Sequence, residues 1–254
     1  GAGWKDKAKE FELTGETEFT GYDTINQSAV LRSIHQNDYE ELGEAIEGES
    51  YIFILDKTPF YAESGGQVSD KGFIYNDRSG IARVDDVKKF NKIYAHTVTV
   101  MQGEFDVNDT VEAMVVAPIR NMTAANHSAT HMLHKALREV LGDHVKQSGS
   151  YVDHKGLRFD FSHYQAMTDE EIQKVEEIVN DKIRHFVPVT TKVMDIEDAR
   201  KEGAMALFDE KYGDKVRVVS IGEFSREFCG GTHVENAGQI GAFKILSESG
   251  VASG

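Results

Sequence analysis

The stretch MTAANHSATHMLHKALREVL, residues 122–141, carries apolar side chains at helical spacing and is followed by a glycine. These apolar positions are Ala125, Ala129, Met132, Leu133, Ala136, Leu137 and Val140. The pattern predicts an amphipathic helix that stops at Gly142. Because residues four apart share a helix face, His127 and His131 are expected one turn apart on the same side.

A second pair of metal-binding residue types lies far downstream, in CGGTH at residues 229–233. Cys229 is the only cysteine of the chain, so no intramolecular disulfide is possible. Either pair alone is common, but two local pairs with two glycines between cysteine and histidine are typical of a tetrahedral zinc site. The predicted ligands are His127, His131, Cys229 and His233.

Two other hydrolase classes fit the same residues less well. HSATH has no glutamate where the HEXXH motif of metalloproteases supplies a general base. A cysteine protease would pair Cys229 with a histidine, but the sequence marks neither an oxyanion hole nor an orienting residue. The zinc site is therefore the favoured interpretation.

The character of the chain changes near residue 118. Before it, short alternating or β-branched segments are separated by glycine and polar turns, at 51–55, 71–77, 81–87, 94–101 and 110–116. This pattern predicts a small β-barrel or sandwich.

After residue 118, helices and strands mix. Thr168 with Glu171 three residues on forms a capping box, which predicts a second helix that Pro188 ends. Strands are expected at 189–195 and 216–222. The predicted fold class is α+β. A small β-barrel domain over residues 1–118 is followed by an α+β domain with the zinc site over residues 119–254.

Length and composition set mild limits. The 254 residues, 40% of them hydrophobic, can bury one large core or two smaller ones. No signal segment or long apolar run appears, so a soluble cytoplasmic protein is expected. A start without methionine and an end on small residues are typical of a piece of a longer protein.

The formal net charge of -15 argues against a nucleic-acid partner. However, acidic residues concentrate at 37–49 and 169–181, where solvated faces are the expected explanation. Between residues 115 and 163 the chain has six lysines and arginines against four acids. A nucleic acid held at one local site therefore remains possible.

Longer motifs carry a family resemblance. They are HSATHMLHKALREVLGDHVKQSGSYV (127–152), LRFDFSH (157–163), EFCGGTHV (227–234), DKTPFYAESGGQVSDKG (56–72), ALFDEKYGDKVRVV (206–219) and TGETEFTGYD (14–23). Together they resemble bacterial alanyl-tRNA synthetases and, in the editing domain, the free-standing AlaX-type factors. Threonyl-tRNA synthetase editing domains share the HxxxH and CxxxH frame but lack the FYAESGGQ segment.

The resemblance implies hydrolysis of mischarged tRNA, namely Ser-tRNA(Ala) or Gly-tRNA(Ala), with the tRNA(Ala) acceptor end as partner. A second hydrolytic site is the expected remedy where binding alone discriminates small substrates poorly. The resemblance also implies a parent enzyme that ligates alanine using ATP and magnesium, in a region absent from this chain. The parent's oligomerisation region is likewise absent, so a monomer is expected.

The resemblance further implies polar pocket positions at Thr130, Gln147 and Ser150. Taken by themselves, Gln147 and Ser150 would read as a surface glutamine and a turn serine. Asp160 is a weaker candidate, because a carboxylate in an alternating strand can also pair with Arg158 or with a ligand histidine.

Two further groups of residues are candidates for contacts with RNA. The group Phe60, Tyr61, Gly65, Gly66, Gln67 and Asp70 fits neither a P-loop nor a dinucleotide fingerprint. It is interpreted as core aromatics and a strand-breaking turn at a domain interface, with a secondary contact to the tRNA acceptor end. The basic residues predicted to steer the RNA backbone are Lys88, Lys89, Lys92 and Arg120.

Four protein ligands saturate a tetrahedral zinc ion, which is typical of a structural site. Either one ligand is weak or displaced, or the coordination expands, or the ion orders the pocket and binds the substrate's amino group. The resemblance implies a synthetase fragment that edits. The alternatives are a complete AlaX-type deacylase and a non-catalytic tRNA-binding module with structural zinc.

Overall fold

A computed structural model describes residues 15–36, 40–206 and 212–250. Parts of three sequence motifs, at residues 14, 37–39 and 207–211, lie outside the described residues. Among the described residues, no helix is both long and apolar enough to span a bilayer.

Contacts divide the chain into two compact units. The first comprises Gly1–Ser64 and Val68–Arg120, and the second comprises Gly65–Gln67 and Asn121–Gly254. The assignment of separate functions to residues 1–118 and 119–254 stays a prediction. The membership of Gly65–Gln67 in the second unit was not foreseen.

The first unit is a closed antiparallel barrel. Its strands are β1 (Glu18–Phe19), β2 (Asn26–Gln36), β3 (Glu40–Leu42), β4 (Glu44–Ala45), β5 (Ser50–Leu55), β6 (Lys57–Thr58), β7 (Gly72–Asn76), β8 (Ile81–Phe90), β9 (Ile93–Gln102), β10 (Phe105–Asp106) and β11 (Thr110–Val115). Six of them run in the order β11-β7-β8-β9-β5-β2, and pairing of β11 with β2 closes the barrel. Closure removes the free edges that six open strands would expose.

Alternation of side chains fills the barrel interior. In β11, Val111, Ala113 and Val115 are buried while the residues between them are exposed. The β8–β9 turn places Asn91 at a φ of 55°, a conformation that asparagine tolerates better than most residues. Bulges in the β8–β9 pairing supply the curvature that closure needs.

All five predicted segments of this unit are strands, and the predicted barrel is confirmed. Strand β2 was missed, because polar Ser33 and His35 occupy buried positions and a bulge near Leu31 interrupts the alternation. The prediction that Phe60 and Tyr61 are core residues is confirmed.

Arg120 corrects one prediction. Its side chain is buried and forms an ion pair with Asp70, and it donates to the carbonyls of Gly21 and Pro59 at 2.8 Å each. The prediction that Arg120 steers RNA is wrong, because its donors are already used inside the first unit.

The second unit is α+β. Its elements are α1 (Ala117–Leu141, from Asn121 onward), β12 (Gln147–Val152), β13 (Leu157–Phe161), α2 (Asp169–Arg184), β14 (Val189–Asp195), α3 (Ile196–Lys201), β15 (Lys215–Ile221), β16 (Ser225–Phe228) and a 3-10 turn (Ala237–Ile240). Strands β12 and β13 form a hairpin, and β14, β15 and β16 form an antiparallel sheet. The predicted α+β fold class is confirmed.

Helix α1 begins at Ala117, earlier than predicted, and ends at Leu141 as predicted. Pro118 lies in its first turn, where proline is well tolerated. Gly142 follows with a φ of 123°, which favours glycine.

The core of the second unit lies between α1, α2 and β15. Its buried members include Met132, Leu137, Val175, Val179, Ile183, Val219 and Ile221. The predicted capping box of α2 is present, with both the Thr168 and the Glu171 side chains bonded to backbone N–H groups. This core holds α1 rigidly, so that the helix can position side chains on its other face.

Candidate metal centre

Two elements of the second unit bring the four predicted ligands together. His127 and His131 lie one turn apart on α1 and are buried. Cys229 directly follows β16, and His233 lies four residues further along the loop. One donor atom from each residue lies within 4.8 Å of the others, so this group could hold a metal ion.

The separations fit a tetrahedral ion. Cys229 Sγ lies 3.5 Å from His127 Nε2 and 3.3 Å from His233 Nε2. Zinc bonds of the usual lengths to sulfur and nitrogen place two such ligands about 3.5 Å apart. The three imidazole rings also converge, with centroids 4.4–5.1 Å apart.

Electrostatic interactions favour the metal-binding protonation states of Cys229 and His233. Burial raises the pKa of the Cys229 thiol, but the His127, His131 and His233 rings outweigh it and hold that pKa well below its usual value. Burial and the neighbouring His127 lower the pKa of His233 to about 3, which keeps its ring neutral. A thiolate and a neutral imidazole are the forms that bind metal.

His131 differs from His233. Burial lowers the pKa of His131, but the Glu227 carboxylate and then the Cys229 sulfur outweigh burial and raise it to about 9. His131 must therefore lose a proton when a metal binds, so binding should release protons.

Outer partners orient His127 through Gln67. The Oε1 atom of Gln67 lies 2.7 Å from His127 Nδ1 and also accepts from the Thr232 backbone N–H at 3.0 Å. Its Nε2 donates to Thr232 Oγ1 at 2.7 Å. Gln67 is fully buried, so its amide ties the ring of His127 to the CGGTH loop and turns Nε2 toward the centre.

His233 and His131 have their own outer partners. Ser128 Oγ lies 3.0 Å from His233 Nδ1. Glu227 Oε2 lies 3.7 Å from His131 Nδ1, and Glu227 Oε1 lies 3.1 Å from Nδ1 of His134. In each of the three ligand histidines Nδ1 therefore faces an outer group.

Within the described residues, both ring nitrogens of His131 are buried without a hydrogen-bond partner. Such an unsatisfied group costs free energy unless something else binds it. A metal ion bound to Nε2 would satisfy one of the two nitrogens, which supports the fit of this donor set.

The CGGTH loop needs its glycine at Gly231. A Cβ there would lie 2.1 Å from the His127 ring. Arg217 on β15 donates to the carbonyls of Cys229 at 2.9 Å and Gly231 at 2.7 Å, which fixes the loop from the other side.

A cavity with room for about one water molecule lies beside the ligands His127 and His131. Its lining residues are Gly65, His127, Thr130, His131, His134, Gln147, Ser150 and Glu227. Thr130, Gln147 and Ser150, which the sequence predicted as pocket positions, are thus brought together next to the metal ligands. Their catalytic roles stay predictions.

Asp160 is placed differently from these three. It pairs with Arg158 on β13 at 3.1 Å, and neither side chain is buried. Asp160 is not among the residues that line the cavity. This pairing is the alternative that sequence reasoning had left open for it.

The sequence did not indicate the roles of Gln67 and Glu227. Gln67 follows a turn in which Gly65 and Gly66 have φ values of 58° and 86°, as a strand-breaking turn requires. A Cβ at Gly66 would lie 2.2 Å from Ser150 Oγ, so the turn sits tightly against β12. The only local signal for Glu227 was its position directly before the FCGGTH segment.

Comparison with known proteins adds a family to this geometry. Residues 3–118 match the family model "tRNA synthetases class II (A)", and residues 216–254 match "Threonyl and Alanyl tRNA synthetase second additional domain". The chain is 51% identical over 247 residues to the alanine–tRNA ligase of Coxiella burnetii (strain Dugway 5J108-111), which covers 97% of this chain. The chain belongs to the alanyl-tRNA synthetase family.

Other members of the alanyl-tRNA synthetase family are equally similar. The alanine–tRNA ligase of Caldicellulosiruptor saccharolyticus is 50% identical over 253 residues, or 99% of this chain. That of Fusobacterium nucleatum is 50% identical over 244 residues, or 96% of this chain. The chain spans 27–28% of the length of these relatives. The resemblance predicted from the motifs is confirmed.

Proposed function

We propose that the second unit is an editing domain that hydrolyses Ser-tRNA(Ala) or Gly-tRNA(Ala). One observation carries the proposal: four metal-ligand atoms lie within 4.8 Å of one another, and two of these ligands, His127 and His131, line a small cavity together with Thr130, Gln147 and Ser150. The match of residues 216–254 to a domain of threonyl and alanyl tRNA synthetases supports it. The partner would be the acceptor end of tRNA(Ala).

Zinc is the metal that this donor set suits best, because one thiolate and three imidazoles are soft to borderline ligands. His127, His131, Cys229 and His233 would hold it. When bound, zinc would supply a Lewis acid for the ester carbonyl or a ligand position for the substrate's amino group.

Thr130 is suited to accept a hydrogen bond from a substrate. Its hydroxyl donates to the Asn126 carbonyl at 2.8 Å, one turn back on α1. The donor of the hydroxyl is thus used, and its lone pairs remain for a serine hydroxyl. Correctly attached alanine has no hydroxyl and would leave this acceptor unpaired, so the contact would select serine over alanine. A glycyl ester also lacks a hydroxyl and would gain nothing from this contact.

Ser150 orients the Gln147 side chain, which is also suited to contact the substrate. The Nε2 atom of Gln147 donates to Ser150 Oγ at 3.1 Å. One N–H and the Oε1 acceptor of the amide remain for the substrate or an attacking water. Gln147 would therefore contact the substrate, and Ser150 would be a positioning residue.

Asp160 would act, if at all, through its neighbours, because Arg158 already occupies its carboxylate. Charging of tRNA with ATP and magnesium belongs in this proposal to the parent ligase, outside this chain. The chain itself would act as a monomer in the cytoplasm. The match of residues 3–118 to class II synthetases favours a synthetase piece over a free-standing AlaX-type deacylase.

A deacylation assay on Ser-tRNA(Ala) with a metal-loaded chain tests the proposal. We expect Gln147→Ala to slow hydrolysis about 5- to 150-fold, since a lost hydrogen bond to a buried polar group costs roughly 1–3 kcal/mol. Gln173→Ala, an exposed glutamine on α2, is the matched control and should hydrolyse at the native rate. Equal rates for the native chain and Gln147→Ala would refute the role of Gln147.

The second candidate is a non-catalytic tRNA-binding module with structural zinc, which the four-ligand count favours. Absence of any deacylation by the fully loaded native chain, with retained tRNA binding, would select it. Cys229→Ala separates the two roles of the metal. A variant that has lost all metal and still deacylates normally would exclude zinc from the chemistry.

A further inference from the structure

Three aromatic rings cluster where the β12–β13 hairpin meets its flanking segments. The rings of His144 and His163 stack at 5.0 Å, and Tyr164 contacts both, with centroids at 5.5 Å from His144 and 4.6 Å from His163. His144 Nε2 lies 2.7 Å from His163 Nδ1. We call these three residues the ring platform.

The ring platform continues the strand pairing that positions the pocket glutamine. Gln147 pairs with Phe161 at the end of the hairpin. One step further out, the Ser162 N–H donates to the Lys146 carbonyl at 3.0 Å. The next step brings His144 against His163, so the platform lies directly beyond the Gln147 end of β12.

The platform is open to a ligand. Tyr164 is 80% exposed, so its ring is accessible to a ligand. The neighbouring His163 is partly exposed. Lys146 beside it is exposed and supplies a positive charge.

We infer that the ring platform stacks unpaired nucleotides at the 3' end of an RNA. Bases stack on aromatic and histidine rings whatever their sequence, and a neighbouring lysine attracts the phosphate backbone. The exposed Lys146 gives this position a local positive charge that attracts a polyanion, although the chain as a whole has a net charge of -15. The inference rests on the proposed function, because the platform would hold the strand whose end enters the cavity.

The test measures binding of an uncharged acceptor-stem RNA with an unpaired 3' end by fluorescence anisotropy, using the full chain. Because stacking on one ring is worth about 1–3 kcal/mol per base, Tyr164→Ala should weaken binding about tenfold. Tyr164→Phe should bind like the native chain, since it keeps the ring. Tyr151→Ala is the matched control, because Tyr151 is a 45% exposed tyrosine on β12 outside the platform.

The same stem with a blunt end isolates the stacking contribution. We expect Tyr164→Ala and the native chain to bind the blunt stem equally. Native-like binding of the unpaired end by Tyr164→Ala, an equal loss on both RNAs, or no binding by the native chain would each overturn the inference.

Binding and hydrolysis fail separately. If the native chain deacylates Ser-tRNA(Ala) and Tyr164→Ala binds the unpaired-end RNA as the native chain does, the platform is refuted and the proposed function stands. A chain that does not deacylate but loses unpaired-end binding with Tyr164→Ala refutes the editing activity and supports the platform.

Discussion

Each unit buries histidines, and the two units treat them in opposite ways. In the barrel, His96 is fully buried with both ring nitrogens used, Nδ1 by the Phe53 carbonyl at 2.9 Å and Nε2 by Thr58 Oγ1 at 2.7 Å. In the second unit, His131 is equally buried, yet neither nitrogen has a hydrogen-bond partner among the described residues.

The difference separates a structural histidine from a ligand. The barrel completes the hydrogen bonds of His96 itself, and burial lowers its pKa to about 4 despite the bond to Phe53. The second unit instead turns three rings and a thiol toward one point and leaves their inner atoms for a bound ion. Burial of a histidine is thus no guide to its role, whereas the convergence of its ring with other ligand atoms is.

The largest expected effect is at Cys229. Removing the thiolate from the group should weaken zinc binding by more than the 10–100-fold typical of losing an outer partner. Cys229→Ala should therefore fail to retain zinc against a chelator that the native chain resists, with zinc content measured by mass spectrometry. His96→Gln is the control and should keep its zinc, so an equal loss in both variants would break the comparison.

His96 contributes an acid-sensitive part of the stability of the barrel. Its pKa is about 4 in the fold and about 6.5 in the unfolded chain, so only the unfolded state binds the proton between these values. The contribution of neutral His96 to the free energy of unfolding is fully present above pH 6.5. It falls by roughly 3 kcal/mol in all as the pH drops to 4.

This pH dependence is measured as the free energy of unfolding of the barrel, followed by hydrogen exchange of its amides from pH 7 to pH 4. His96→Gln should have a shallower slope than the native chain, whatever its absolute stability. Parallel slopes would show that His96 is not the group that titrates.

Glu227 tests whether an outer carboxylate tunes the ligand His131. We expect Glu227→Ala to weaken zinc binding 10–100-fold, because the ring of His131 loses the group that faces its Nδ1. The readout is competition with a zinc chelator. The control is Glu223→Ala, whose side chain is 95% exposed, and a loss as large as that of Glu227→Ala would contradict the positioning role.

The smallest expected effect is at Thr168, where a substitution should change the stability of α2 but not the affinity for zinc. Thr168→Ala removes the N-cap of α2 and should lower the stability of that helix by about 1 kcal/mol. Hydrogen exchange of α2 amides measures this. Zinc affinity should not change, and a tenfold change would mean that the helix and the metal centre cannot be treated separately.

Local signals predicted much of this fold. The period of residues 122–141 and the capping box at Thr168 were sufficient for two helices, because both depend on neighbours a few residues away. Strand β2 escaped, since its buried Ser33 and His35 disguise the alternation. The segment QSGS looked like a turn, but pairing with β13 makes it a strand.

The sequence predicted the four metal ligands but not the residues that surround them. The two spaced pairs marked His127 and Cys229 because metal ligands occur in recognisable local patterns. Gln67 and Glu227 have no such pattern, as each is a single polar residue whose partner is distant in sequence. Arg120 looked like an RNA contact, and only the fold shows that Asp70 neutralises it.

X-ray absorption at the zinc edge of the native, zinc-loaded chain tests the metal centre most directly. One sulfur at about 2.3 Å and three nitrogens at about 2.0–2.1 Å are the shell expected for Cys229 with His127, His131 and His233. A bound zinc ion without a sulfur neighbour, or a chain that takes up no zinc, would contradict the account.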